Sequence, residues 1–555
     1  MSHSQSDKLR RVLLAAAAAC CAAGLAACGG GAAVVALVGG GVGTGGTGIA
    51  FGTVIGLGSV IVDGKSYSSA TPTYYAPTST SESAQTTSES VELGARMDLT
   101  LGAGNQPATA LVQPELQGVA GQVDPTAGTL TVNGMRVRVN TDPALGPQTL
   151  YSGLTGLSGI TSGSTNVEVH GAYGVDAQGP YLWATLIEQV PGDSSVTRLV
   201  GTATAVGANS VTLDTSATPI PLNASTQVLL PSGSSLTAGE LVYAWNYKGN
   251  WVLRVAGTGS FSGPVQISGV VYNPGAGSFM VSGIPVQSSA GVTAGQYVVV
   301  SGQADGQGHL LAQKVDSYSV ANPAQFELHG TITGFVGPSS FLVRGTPVDA
   351  SQSPSFTSGS ASQLGNGVYV DITGQVSPGA GNVIVARTVA VQAAPSPGDT
   401  VDLQGTITSV DLTNGQFVLS WQLQASTVPV TVTIAPNRAF NHGDSSSLEP
   451  GRTVQVEGTW TGTNTVDAYT INFGADGSSG DLQASGRVYS WSQGTAVTST
   501  QTVAAAASTF MLGGNTLTIP VGTTIPAGFG DGADVELSFL TSGGVNTVQK
   551  LSVDN

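Results

Sequence analysis

Gly451-Arg452-Thr453-Val454-Gln455-Val456-Glu457-Gly458 reads as a glycine turn, a short strand with apolar residues at alternate positions, and a glycine exit. The phrase recurs along the chain. Gly295-Gln296-Tyr297-Val298-Val299-Val300-Ser301-Gly302 and Gly367-Val368-Tyr369-Val370-Asp371-Ile372-Thr373-Gly374 repeat it closely. Looser copies begin at Gly94, Gly239 and Gly532, and another runs from Thr165 to Gly171. Seven copies of one strand phrase mark a tandem repeat, and their period of two marks it as all-β.

Composition agrees with that reading. The 555 residues leave room for several domains. Glycine supplies 78 of them, about twice its ordinary share, while charged residues are 9% against an ordinary figure of about 25%. Apolar residues still make up 41%, more than a disordered chain carries. The net charge is −16, and removal of residues 1–27 with Lys8, Arg10, Arg11 and Asp7 takes it to −18. Nucleic-acid binding needs clustered Lys and Arg to neutralise phosphates, so this charge balance excludes it. The acidic surplus serves solubility.

Residues 1–27 read as a signal peptide. Lys8, Arg10 and Arg11 precede an apolar run from Val12 that ends in small residues. Leu25-Ala26-Ala27-Cys28, followed by Gly29, resembles the lipobox of bacterial lipoproteins. That resemblance implies cleavage before Cys28 and acylation of its sulfur with chains such as palmitate, more than one of which anchors stably. The alternative is a plain secretory peptide, or one transmembrane helix from Val12 to Val38 that Gly29-Gly30-Gly31 would interrupt. Cys20 and Cys21 leave with the leader, so neither a disulfide nor a free thiol is expected. In known lipoproteins Asp after the cysteine signals inner-membrane retention. Gly29 therefore implies an outer-membrane anchor, the body facing periplasm or cell surface. Residues 28–48 form a glycine-rich tether. Gly41, Gly43 and Gly46 match G-x-G-x-x-G, but no strand precedes them and no helix follows.

The repeats divide the rest into 49–113, 114–191, 197–261, 264–320, 325–393, 400–475 and 480–555. Each opens with a hairpin, adds a strand or loop, then runs through the shared phrase into a closing strand such as Leu310–Val315. Five short glycine-rich strands predict a small OB-like barrel or sandwich, closed or nearly so, because closure removes exposed edges. Short linkers bearing Pro191, Pro323, Pro395 and Pro397 predict an extended rod. The opening Gly52-Thr53-Val54-Ile55-Gly56-Leu57-Gly58-Ser59-Val60-Ile61-Val62-Asp63-Gly64, with the Gly-Thr-Ile-Thr starts at Gly330 and Gly405, resembles a repeated β-barrel domain of unknown function from secreted proteobacterial lipoproteins. The repeat at Thr197 departs most, lacking the second hairpin glycine. The resemblance implies a fold and lends no catalytic residues.

Chemistry-bearing patterns are sparse. His170 stands where other copies have Ser301, Thr373 and Glu457, and reads as a surface-strand residue. His3, His309, His329 and His442 fall at unrelated places, without metal-ligand spacing, so neither metal nor cofactor is expected. Asp124-Pro125-Thr126-Ala127-Gly128 and Asp411-Leu412-Thr413-Asn414-Gly415 read as turns rather than calcium loops. No Gly-x-Ser-x-Gly stands at a strand-to-helix elbow, and the chain reads as non-catalytic. One copy departs from its siblings: in Leu241–Tyr247, Tyr243, Trp245 and Tyr247 take outward positions, with Trp251 on the next strand. Elsewhere the first outward position holds Asp98, Glu168, Val299, Asp371, Gln455 or Glu536. Such a stripe predicts either a sugar-stacking platform or a contact with a neighbouring repeat. The expected role is a structural spacer or ligand-display rod. The alternatives are an adhesin-like array binding a glycan or an envelope protein, and an enzyme of unknown class.

Overall fold

The computed structural model describes residues 48–553, apart from short stretches of which 76–84 and 474–481 are the longest. The leader, Cys28 and the tether up to residue 47 lie outside the described residues. The described elements are β-strands with a few one-turn 3-10 segments.

The unit at 400–473 displays the plan. Its strands Thr400–Asp411, Gln416–Leu423, Ser426–Asn441, Thr453–Gly462 and Thr465–Phe473 close into a barrel in the order first, second, third, fifth, fourth. Third and fifth run parallel, pairing Thr431 with Thr465, and the other neighbours are antiparallel. The same closed order recurs in the strands of 116–189, 262–317 and 326–391. At 48–112, 196–255 and 482–553 the pairings among described residues leave one side of the ring open.

The shared phrase performs the closure. Gly451 has φ of 92°, a backbone that glycine adopts without strain. Its amide donates to the Ile407 carbonyl at 2.7 Å, and the Ile407 amide donates back to Arg452 at 2.8 Å. The same reciprocal pair ties Gly94 to Val54, Gly239 to Ala203, Gly295 to Val271 and Gly367 to Ile332. Past the turn, Val454 and Val456 enter the barrel core beside Phe417 and Trp421. At the exit the register slips between Glu457 and Gly458, a β-bulge. A Cβ on Gly458 would lie 2.6 Å from the Asp467 carbonyl oxygen, so the bulge requires glycine.

The units do not string out as a rod. Gly48–Leu57 is a hub: it runs antiparallel to Arg96–Leu101 of its own unit, and its start pairs parallel with Val265–Ile267. Its end pairs parallel with Glu327–Leu328. The first unit therefore joins the fourth and fifth, which are distant in sequence. The physical reason is the edge: a strand with free amides and carbonyls recruits another, whatever the stiffness of the linkers. The fifth unit also holds its followers, with Leu342 entering the core of the seventh and Arg344 pairing with Glu457 of the sixth.

Candidate functional site at the junction of the first four units

Arg96 occupies the third position of its phrase copy, where siblings carry Leu241, Tyr297, Tyr369 and Thr453. Strand alternation turns it out of its own barrel, and there it meets the fourth. Only 1% of it is exposed. Its Nη1 donates to Thr53 Oγ1 at 3.2 Å, Ser268 Oγ at 3.1 Å and Tyr297 Oη at 3.4 Å. Its Nη2 donates to the Ser268 carbonyl at 3.1 Å and Ser282 Oγ at 3.3 Å. The guanidinium lies over the Phe51 ring at 4.5 Å. Its Nε is 3.7 Å from Glu115 of the second unit, whose other carboxylate oxygen accepts the Gly171 amide at 2.7 Å. Burial pushes the Glu115 carboxyl up to about 7 and that of Asp63 up to about 6, with the Arg96 charge pulling both back.

His170 corrects the surface-strand expectation: it is buried. Its Nδ1 accepts the Arg96 backbone amide at 3.1 Å, which leaves the proton on Nε2 to face Glu188 at 3.2 Å. The strand position is the same as that of Glu457, which is also buried and paired across units. The residue before the exit glycine sits on the bulge, and in these two copies a neighbouring barrel covers it.

The aromatic stripe lies at the same junction. Tyr243, Trp245 and Tyr247 are 4–7% exposed, packed with Leu116, Val167 and Val169 of the second unit. They form an inter-unit contact and offer no open face for a sugar, which corrects the platform expectation. Val242 and Ala244 enter their own barrel core. Trp251 is separated from the other three. The register pairs it with Asn246, on the opposite face of the strand, and it packs with that barrel's own core. Asp214 of the third unit accepts from Tyr173 of the second, whose ring meets Tyr272 of the fourth edge-on at 5.3 Å.

Between the first, third and fourth units a half-open cleft of about 60 Å³ remains. Tyr243, Arg254, Asp98, Thr258 and Ser282 line it together with apolar residues including Phe51 and Ile267. Arg254 stacks on Tyr243 at 4.9 Å and pairs with Asp98 of the first unit. Asp98 and Tyr243, both lining the cleft, hold equivalent positions in their two phrases.

Elsewhere, the Asp124 carboxylate accepts the Thr126 and Ala127 amides at 2.9 Å, and Asp411 likewise binds Asn414. These are turn contacts within the loop. Among the described residues no three His, Cys, Asp or Glu side chains converge on a metal position. His442 lies outside the described residues.

Residues 329–390 and 404–472 match a family described as a domain of unknown function, DUF5666. The two segments fall in the fifth and sixth units and are similar to that family over those residues. No curated protein matches the chain.

Residue reasoning missed Arg96, Asp63, Glu115, Glu188 and Arg254. One signal was present for Arg96: a cation at an outward strand position in a chain with 17 basic residues. The others depend on which barrels meet, which repeat alignment does not carry.

Proposed function

We propose that this protein is a non-catalytic envelope lipoprotein whose β-barrel units form one packed scaffold, tethered through Cys28 to the outer membrane. One observation carries the reading. Arg96, Glu115, Arg254 and Glu457, each no more than 4% exposed, all pair with a residue of another barrel. An enzyme aims such groups at a substrate cleft. Here they hold barrels in register. The DUF5666 segments support a repeated domain, and the lipobox-like Leu25–Cys28 supports the anchor. The scaffold is compact rather than extended, which suits a body held close to the membrane.

The test is metabolic labelling with a palmitate analogue, comparing wild type with Cys28→Ser. Labelled wild type in the outer-membrane fraction, and an unlabelled variant in the soluble fraction, is the expected result. An unlabelled wild type overturns the anchor.

A further inference from the structure

The turn between the second and third strands places one side chain alike in five units: Asp63, Asn133, Asp214, Ser282 and Arg344. Each directly follows the last apolar residue of the second strand, Val62, Val132, Leu213, Val281 or Val343. Asp63, Asn133, Ser282 and Arg344 precede a glycine and have φ between 48° and 51°. Asp214 opens a longer loop without that glycine, yet keeps the position.

The first strand makes room for this side chain. Gly52, Gly118, Gly201 and Gly269 lie beneath Asp63, Asn133, Asp214 and Ser282, and a Cβ on any of them would come within 3.0 Å of the turn side chain. The bare glycine is a slot through which the side chain crosses its own barrel edge.

What each side chain reaches is another unit. The Asp63 carboxylate accepts the Thr53 amide of its own strand and a hydrogen bond from Ser268 of the fourth unit. Gln266 Nε2, also of the fourth, donates to the adjoining Val62 carbonyl at 3.0 Å. Ser282 of the fourth reciprocates, accepting from Arg96 of the first at 3.3 Å. Asn133 Nδ2 of the second donates to the Gln117 carbonyl of its own unit at 2.8 Å and to the Arg198 carbonyl of the third at 3.0 Å. Asp214 of the third reciprocates, accepting from Tyr173 of the second. Arg344 of the fifth pairs with Glu457 of the sixth. In the sixth, the aligned Ser420 lies inside a longer strand opposite Pro429 and forms no turn.

We infer that this turn residue is the docking determinant of its unit, selecting which barrel sits against which. First and fourth exchange such contacts, second and third do the same, and fifth reaches sixth. Each chemistry suits its receiver: an amide on carbonyls, a carboxylate on a phenol, a guanidinium on a carboxylate. The inference rests on the packed-scaffold part of the proposed function and is independent of the anchor at Cys28.

The experiment reads two interfaces of the full chain. Hydroxyl-radical oxidation of Trp245, 4% exposed, reports the second–third interface. Amide exchange in Ile49–Phe51, which pair with Val265–Ile267, reports the first–fourth. Asn133→Asp keeps a residue that tolerates the left-handed turn but sets a carboxylate against two carbonyls. It should speed Trp245 oxidation at least fivefold and leave exchange at Ile49–Phe51 unchanged. Ser282→Gly relaxes the turn and removes the hydroxyl. It should speed that exchange at least fivefold and leave Trp245 protected. Gly118→Ala fills the slot, should match Asn133→Asp, and should add nothing when combined with it. Unchanged amide exchange in Tyr181–Ile187 and Val298–Val300 shows that the second and fourth barrels stay folded. If Asn133→Asp and Gly118→Ala leave Trp245 as protected as in wild type, or if each variant loosens both interfaces alike, the turn residues do not direct docking. Rapid oxidation of Trp245 in wild type would overturn the packed scaffold, and this inference with it.

Discussion

Two junctions hold barrels together by different means. Between the fifth and sixth units, Arg344 at a hairpin tip pairs with Glu457, and Tyr369 packs into the core of the sixth barrel. At the junction of the first four, Arg96 spreads over Thr53, Ser268, Ser282, Tyr297 and Glu115, with Arg254–Asp98 and His170–Glu188 close by. The difference follows from how many surfaces must be aligned. The fifth and sixth barrels are oriented by apolar packing and the directional Arg344–Glu457 pair. Where four meet, apolar contact is non-directional and allows sliding. A guanidinium with five donors in a rigid fork does not. A chain with only 9% charged residues therefore concentrates buried charge where most units converge.

The largest effect should separate the two junctions directly. Arg96→Ala strands Glu115 and Asp63 in a buried site and should cost about 3–5 kcal/mol. Arg344→Ala leaves a single carboxylate, Glu457, and should cost about 1–3 kcal/mol. Hydrogen exchange should show faster opening across residues 48–317 for Arg96→Ala, and only within 326–473 for Arg344→Ala. Equal costs, or loss of protection confined to the first unit in Arg96→Ala, would remove the distinction between the junctions.

A second effect is smaller and depends on pH. The Glu115 carboxyl is raised from 4.5 to about 7, so the folded junction prefers it protonated. Its contribution is full below pH 4.5 and is lost as pH rises through about 7. Asp63, raised from 3.8 to about 6, acts in the same sense over a lower window. The junction is then firmer at pH 5 than at pH 8, by on the order of 2–3 kcal/mol. Urea unfolding midpoints should fall over that interval in wild type, and Glu115→Gln should flatten much of the fall. In Arg96→Ala the opposing positive charge is gone, so the cost of that substitution should itself grow with pH. A midpoint that rises from pH 5 to pH 8 would contradict the assignment.

The fold was readable in the sequence because the repeat is written in backbone requirements. Gly451 and its counterparts need left-handed turns, Gly458 and Gly302 need bulges, and alternating Val residues need a barrel interior. Each is local and survives without knowledge of neighbours. The site was half readable. The Tyr243, Trp245 and Tyr247 stripe stood out as a departure from the shared phrase, and it is a contact. His170 and Arg96 were departures too, yet a lone polar residue on an outward face reads as solvated until a second barrel covers it. The packed arrangement was not readable, because it rests on Gly48–Leu57 pairing with strands more than two hundred residues away. Backbone amides on a sheet edge have the same hydrogen-bonding capacity whatever the side chains, so nothing in composition names their partner.

The smallest effect returns to the opening glycine of the phrase, which serves the same turn in both regions. At Gly451 an added Cβ meets nothing within 4 Å, so Gly451→Ala carries only the strain of φ near 92°. That is about 1 kcal/mol, part of which Gly451→Asn should recover, since Asn tolerates the left-handed region. At Gly94, φ is 84°, but the added Cβ would run into the Thr185 carbonyl of the second unit, and Thr185 Oγ1 also donates to the Gly94 carbonyl at 2.6 Å. Gly94→Ala should therefore cost severalfold more, and Gly94→Asn should recover nothing, because the obstacle is a neighbouring backbone rather than the turn itself. Thermal unfolding of the four variants decides it. If the two alanine variants lose the same stability, the first unit's turn is not pressed against the second, and the junction is looser than its hydrogen bonds indicate.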